Sequence, residues 1–275
     1  MTSILVTGGT GRLGTPTVDR LRSAGHDVRA LSRHAGAGRV VGDLRSGEGV
    51  ADAVADTDTV VHLATGTSGD ARLMRTVVDA SREAGVRHLV FVSIVGVDRI
   101  PLGYYRQKLA AEQLLAASGT GHTILRATQF HQLVAGVFDA QRWLPVVVAP
   151  TISFQPISTD DVAARLAELV AGGPAGRVAD IGGPERLTAR ELAERWAAAR
   201  SVRRRIVPLS LPGKTFAAFA AGGNLVPGPG WGTRTFTEFL AAGPRRTPDA
   251  PRRNPNGEAG RHRATPSCRP RAACS

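Results

Sequence analysis

The eleven residues Ile4-Leu5-Val6-Thr7-Gly8-Gly9-Thr10-Gly11-Arg12-Leu13-Gly14 restrict the fold more than any other stretch of the chain. Ile4 to Val6 is a short apolar run with the character of a buried strand. It stops at glycines spaced 8, 11 and 14, and the apolar positions Leu13, Val18 and Leu21 then predict a helix. A strand, a glycine turn and a helix aim N–H groups and the positive end of a helix dipole at a phosphate. Glycine is required there because the turn is tight and a Cβ would hold the backbone away from a pyrophosphate. The expectation is a dinucleotide site.

The remaining pattern extends this beginning into a sheet. Val28 to Leu31, Val40-Val41, Thr59 to Ala64, His88 to Ser93 and Thr123 to Arg126 read as further strands. Between them Gly47 to Ala55, Asp70 to Ala84 and Tyr104 to Ala117 read as helices. Strands alternating with helices imply an α/β protein with a Rossmann-like, doubly wound parallel sheet and right-handed crossovers. Beyond Gln129, Pro145, Pro150 and Pro156 break the rhythm. Ser158 or Thr159 then caps a helix ending near Gly172, and Val178 to Ile181 reads as a strand. Thr188 with Glu191 is a capping-box signature for a helix to about Ala199. Short helices are expected over 216–221 and 234–241, with a turn-rich loop over 222–232. The expected organisation is a nucleotide-binding domain over 1–150, a small C-terminal α/β lobe over 151–241, and a tail over 242–275.

Charge bears on the tail rather than on the fold. The net charge is +12, but residues 242–275 hold eight Arg against Asp249 and Glu258, so about half the excess is there. That segment has six Pro and no Val, Ile, Leu, Met, Phe, Tyr or Trp, so disorder is expected. A nucleic-acid partner is disfavoured on this distribution; a binder acting through the tail would show steep salt dependence lost on truncation at Ala241. No apolar run approaches a membrane span, and the first strand begins too close to Met1 for a signal peptide. Both cysteines, Cys268 and Cys274, lie in the tail, so no Cys-based metal site is expected and the expected location is cytoplasmic.

The second strand ends at Ser32-Arg33, where an NAD-specific site would place an acid for the ribose 2′-hydroxyl. An arginine grips a 2′-phosphate instead, which favours NADP(H). Asp43, in Gly42-Asp43-Leu44, is placed to accept from the adenine amino group or is an ordinary turn aspartate. Leu63-Ala64-Thr65 should pass beside the pyrophosphate and ribose. His62 fits a structural role better than a catalytic one.

Catalytic chemistry is best placed on Ser93, Tyr104 and Lys108. Ser93 ends a central strand, and Tyr104 and Lys108 are i, i+4 on one helix face. The chain has two tyrosines, Tyr104 and Tyr105, and two lysines, Lys108 and Lys214, among 35 basic residues. Ionising a tyrosine of pKa about 10 near pH 7 needs roughly 4 kcal/mol. A lysine charge at ~4 Å and an effective dielectric of ~20 offers about that much before desolvation. Lys108 is therefore expected to lower the Tyr104 pKa, with Tyr104 exchanging a proton with substrate.

These motifs, with Val92-Ser93-Ile94-Val95-Gly96, Leu125 to Phe130 and Pro156 to Ala163, resemble the NmrA-like, atypical branch of the short-chain dehydrogenase/reductases over residues 3 to 241. The resemblance implies a Rossmann fold with NADP(H) held at Gly8, Thr10, Gly11, Arg12, Leu13, Gly14, Arg33, Asp43, Leu44, Ala64 and Thr65. It implies Lys108 at the nicotinamide ribose, Thr128 to Phe130 beside the nicotinamide, and Gln129, Phe130 and His131 at the substrate pocket. The family is divided. Some members reduce quinones, dyes or phenylpropanoids; others bind the dinucleotide as redox sensors, which would add a protein partner, and many lack the tyrosine. The Tyr-x-x-x-Lys pair favours an NADPH-dependent oxidoreductase acting on a small carbonyl or quinone-like molecule.

Overall fold

A computed structural model describes residues 1–66 and 69–243, and residues 1–243 form one compact unit. The basic tail expected to be disordered lies outside the described residues. In chain order the first half runs β1 (Ser3–Thr7), α1 (Gly14–Ser23), β2 (Asp27–Ser32), β3 (Arg39–Val41), α2 (Val50–Val54), β4 (Thr59–His62), α3 (Asp70–Glu83), β5 (His88–Ile94), α4 (Gly103–Ala116) and β6 (His122–Ala127). The second half adds α5 (His131–Asp139), β7 (Val147–Pro150), β8 (Ser153–Phe154), α6 (Thr159–Gly172), β9 (Gly176–Arg177), β10 (Leu187–Thr188), α7 (Ala189–Ala199), β11 (Ile206–Leu209), α8 (Lys214–Ala220) and α9 (Phe236–Ala241).

The main sheet has seven parallel strands in the order β3-β2-β1-β4-β5-β6-β9. Alternation along each strand divides its side chains between two helical layers. Ile4 and Val6 of β1, with Val90 and Val92 of β5, pack under Val18 and Leu21 of α1 and Val162 and Leu166 of α6. Leu5, Leu89 and Phe91 face the other way, against Leu73 and Val77 of α3 and Ala111 and Leu115 of α4. The sheet is thus covered on both sides, the doubly wound Rossmann-like arrangement. Its strand order reverses at β1, next to β4, so the crevice for a ligand opens beyond the C-terminal ends of these two strands.

A separate apolar cluster joins Val134 and Phe138 of α5 to Leu192 and Trp196 of α7 and Phe236 of α9. The Thr188 capping box forms in full, and Ser158 is the N-cap of α6. Two expectations differ. The strand expected over Val178 to Ile181 is shorter and earlier, at Gly176–Arg177, followed by an isolated bridge from Ile181 to Ala127. It runs along the outer edge of β6 and makes ladder bonds only at intervals, Val178 N–H to Ile124 O (3.1 Å) and Ile181 N–H to Arg126 O (2.9 Å). The helix α5 was not expected, although Val134 and Phe138 carry its spacing.

Candidate active site

The glycine turn is built from close approaches. Gly8 has φ +70°, and a Cβ on it would stand 2.7 Å from the Ala64 nitrogen. A Cβ on Gly14 would fall onto the Gly8 carbonyl oxygen, which accepts from Gly11 N–H at 2.9 Å. β1, the start of α1 and the segment after β4 are therefore drawn together. At the first turn of α1 no side chain caps the backbone, and no acid is present. Within that turn Thr15 N–H donates to Gly11 O at 3.0 Å, Thr17 N–H donates to Leu13 O at 3.2 Å and Pro16 has no N–H, so among the described residues the Gly14 N–H is the one left for another partner. Thr10, Gly11 and Arg12 are exposed, whereas the Leu13 side chain is buried in the core, leaving only its backbone to a ligand.

Arg33 follows β2 directly and is exposed. Asp43 is half-buried in a turn, where its Oδ1 accepts from Arg45 N–H at 2.8 Å. The Leu44 side chain is in the core beneath α2 and α3. Ala64 is half-buried against Gly8, and Thr65 is exposed. His62 is buried, with Nδ1 2.7 Å from Thr7 Oγ1 and its ring stacked on Phe91. Burial, then the nearby Lys108, pulls its pKa down to about 3, so it is a neutral packing residue.

Ser93, Tyr104 and Lys108 come together around β5 and α4. Ser93 shares a sheet face with Phe91, and the Lys108 ammonium lies 4.7 Å from the centre of the Phe91 ring. The Ser93 hydroxyl is buried and has no hydrogen-bond partner among the described residues. Lys108 Nζ donates to Val92 O at 3.3 Å and is paired with Asp70 Oδ2 at 3.2 Å; its side chain is 4% exposed and that of Asp70 2%. Burial draws the Lys108 ammonium below its usual pKa, and Asp70 opposes that. Tyr104 is half-buried and hydrogen-bonded to the Thr65 side chain.

The expected lowering of the Tyr104 pKa does not occur. Burial first, then the Asp70 charge, pushes it up to about 12. The Lys108 charge is met by Asp70 rather than offered to the phenol, so Tyr104 is a hydroxyl donor at neutral pH. Tyr105 is buried against Phe219, and its hydroxyl accepts from Gln129 Nε2 at 3.2 Å. Of the two tyrosines, Tyr104 is half-buried and Tyr105 is buried.

Beyond β6 the expected pocket residues separate. Gln129 is buried; its Oε1 accepts from Asn224 Nδ2 at 3.4 Å. Phe130 is half-buried and packs on the layer under α1 and α6. His131 does not face a pocket. It is fully buried, donates from Nε2 to Pro156 O at 3.0 Å and packs against the rings of Phe236 and Phe239. Burial lowers its pKa to about 4, so the residue expected at the substrate is a neutral part of the lobe core. Two groups were missed: Asp70, which reads from sequence as a first-turn acid, and Asn224, hidden in a glycine-rich loop.

The turn fits a nicotinamide dinucleotide. Its glycines leave no Cβ between backbone and ligand, its helix start is uncapped, and the buried Ser93 hydroxyl lacks a partner. A parallel sheet with this turn at the reversal of strand order defines a dinucleotide-binding α/β protein. The model of the NAD(P)H-binding family matches residues 8–172, and the chain belongs to that family.

The chain is 30% identical over 221 residues to a chloroplastic divinyl chlorophyllide a 8-vinyl-reductase of Oryza sativa subsp. indica, a match covering 66% of this chain. It spans 55% of that relative's length. An NADPH-dependent quinone oxidoreductase of Escherichia coli, solved with NADPH, superposes with a TM-score of 0.75 at 19% identity, over 87% of this chain and 99% of that one. A triphenylmethane reductase of Citrobacter sp. superposes with a TM-score of 0.73 at 17% identity, over 87% and 99%. These two likenesses are of fold. Among the described residues no helix is long and apolar enough to cross a membrane.

Proposed function

We propose that the protein is an NADPH-dependent oxidoreductase acting on a small carbonyl or quinone-like substrate. The observation that carries this reading is the half-buried Tyr104 hydroxyl, held by Thr65 beside the Lys108–Asp70 pair and on the side of the sheet where Ser93 is unpartnered. The glycine turn and the uncapped start of α1 would hold the pyrophosphate. Lys108 would donate to the ribose hydroxyls, a task suited to a compact ammonium. When bound, the nicotinamide supplies a hydride to the electrophilic carbon of the substrate and is oxidised. Ser93 would donate to the substrate oxygen and orient it, and Tyr104 would give that oxygen its hydroxyl proton. A phenol that stays protonated at neutral pH suits reduction, in which the oxygen gains a proton.

The preference for NADPH over NADH rests on Arg33, exposed directly after β2 with no acid beside it in sequence. The activities of the similar proteins, on a vinyl group, a quinone and a dye, support a reductase without choosing among substrates. The test is titration of the full chain with NADPH, NADP+, NADH and NAD+, followed by Arg33→Ala. A preference for the phosphorylated pair that disappears in Arg33→Ala supports the site, and NADPH oxidation is then assayed with quinones and carbonyls. No binding by any of the four nucleotides overturns the reading.

A further inference from the structure

Lys108 is paired with a buried carboxylate, Asp70, that has no part in the proposed chemistry. Asp70 opens α3, and an acid in that position is ordinarily solvated, worth a modest interaction with the helix dipole. Here its side chain is 2% exposed. A buried carboxylate must be matched by a partner and hydrogen bonds, and Asp70 has both on different elements. One oxygen is 3.2 Å from Lys108 Nζ on α4, and the other accepts from Gly66 N–H at 2.6 Å. Gly66 follows Thr65, which bonds the Tyr104 hydroxyl, and Ala64, which lies against Gly8. One carboxylate thus joins the lysine, the segment against the glycine turn and the segment that grips the tyrosine.

We propose that Asp70 is a positioning residue for this site, tying Lys108 to the segment after β4 and holding Tyr104 in its proton-donating form. The inference rests on the reading of Tyr104 as the proton donor. The charged and titratable groups around the phenol are few. Lys108 is engaged by Asp70; Glu112, further along α4, is engaged by Arg126; His62 is neutral; Tyr105 is an uncharged phenol. Burial first and then the Asp70 charge act against ionisation of Tyr104, and together they outweigh the Thr65 hydrogen bond, which favours it.

The chain has only two tyrosines, so Tyr105→Phe leaves Tyr104 as the sole source of a tyrosinate absorbance signal. In that background Tyr104 should ionise only above about pH 11, and adding Asp70→Asn should lower the midpoint by about one pH unit or more. The direction holds whether Lys108 stays charged or loses its proton, because the repulsion by Asp70 is gone in either case. The basic limb of the kcat profile should move down with the absorbance midpoint.

A Tyr104 midpoint near the usual tyrosine value of about 10 in Tyr105→Phe alone overturns the proposal, as does a midpoint that Asp70→Asn fails to move. If Asp70→Asn does not fold, Asp70→Ser takes its place; loss of fold in both makes Asp70 structural only and likewise overturns it. The titration needs no turnover, so it is separable from the oxidoreductase reading, which falls instead if no substrate is reduced.

Discussion

Gly8 and Ala64 are in such close apposition that a single Cβ on the glycine would lie 2.7 Å from the alanine nitrogen and 2.9 Å from its Cα. Gly8 also has φ +70°, a conformation strained for any other residue. Gly11 is different. It has ordinary backbone, and its Cβ would meet only the Gly8 carbonyl oxygen, at 3.1 Å. Gly8→Ala should therefore cost about 2–4 kcal/mol of stability and abolish nucleotide binding. Gly11→Ala should cost about 1 kcal/mol or less while still weakening affinity, because its methyl group would stand where a pyrophosphate approaches. Urea unfolding and NADPH titration of the two variants separate the structural glycine from the binding one.

The two tyrosines predict opposite outcomes. Tyr104→Phe removes the proton donor and should reduce kcat by at least about a hundredfold, with NADPH affinity little changed. Tyr105→Phe removes only a hydroxyl that accepts from Gln129, and should cost about 1 kcal/mol of stability with turnover retained. Steady-state kinetics on both variants, with a substrate from the quinone and carbonyl screen, makes the comparison. Full activity in Tyr104→Phe would remove that residue from the mechanism.

Sequence spacing carried the sheet because it is a local signal. Ile4 to Val6 is a short apolar run and His88 to Ser93 is apolar without alternation, as strands covered on both faces must be, and glycines mark where the chain turns. The same locality places Tyr104 and Lys108 on one face of α4. What spacing could not reach was the partner of Lys108. Asp70 lies on another helix, and a first-turn acid that is buried and paired looks the same in sequence as one in water. The expected fall of the Tyr104 pKa failed for that reason. His131 was misplaced similarly: its neighbours Phe236 and Phe239 come from the far end of the chain, and only the folded lobe brings them over it. β8 and β10, which pair with each other, and β9 at the edge of the main sheet are two residues each, too short to show any period.

Arg126 supplies a test of buried charge away from the site. Its guanidinium is bound by both Glu112 oxygens, at 2.9 and 2.7 Å, with side chains 6% exposed on each partner. A third bond, of 2.8 Å, reaches Asp98, whose side chain is 47% exposed. Removing the buried partner strands a buried cation, so Glu112→Ala should cost about 3–5 kcal/mol. Asp98→Ala should cost less than about 1 kcal/mol, because that carboxylate is well hydrated when free. Chemical denaturation at neutral pH measures both, and equal losses would mean that Asp98 carries as much of the arginine as Glu112.

Buried histidines predict how stability depends on acid. His62 and His131 titrate near 6.5 when unfolded but are held down to about 3 and about 4 in the native protein, in both cases chiefly by burial. Between these limits the unfolded chain binds protons that the native chain refuses, so stability rises with pH across that window and falls as acid is added. At pH 5 each histidine should account for about 2 kcal/mol lost relative to neutral pH. His131→Gln keeps a donor for the Pro156 carbonyl oxygen and removes one of three such titrations, since His88 is also buried and held below its usual pKa, chiefly by burial. Between pH 6.5 and 4 its unfolding free energy should therefore fall with a smaller slope than that of the parent chain, as followed by urea unfolding at a series of pH values. An unchanged slope would show that His131 is protonated in the folded lobe, which its packing against Phe236 and Phe239 argues against.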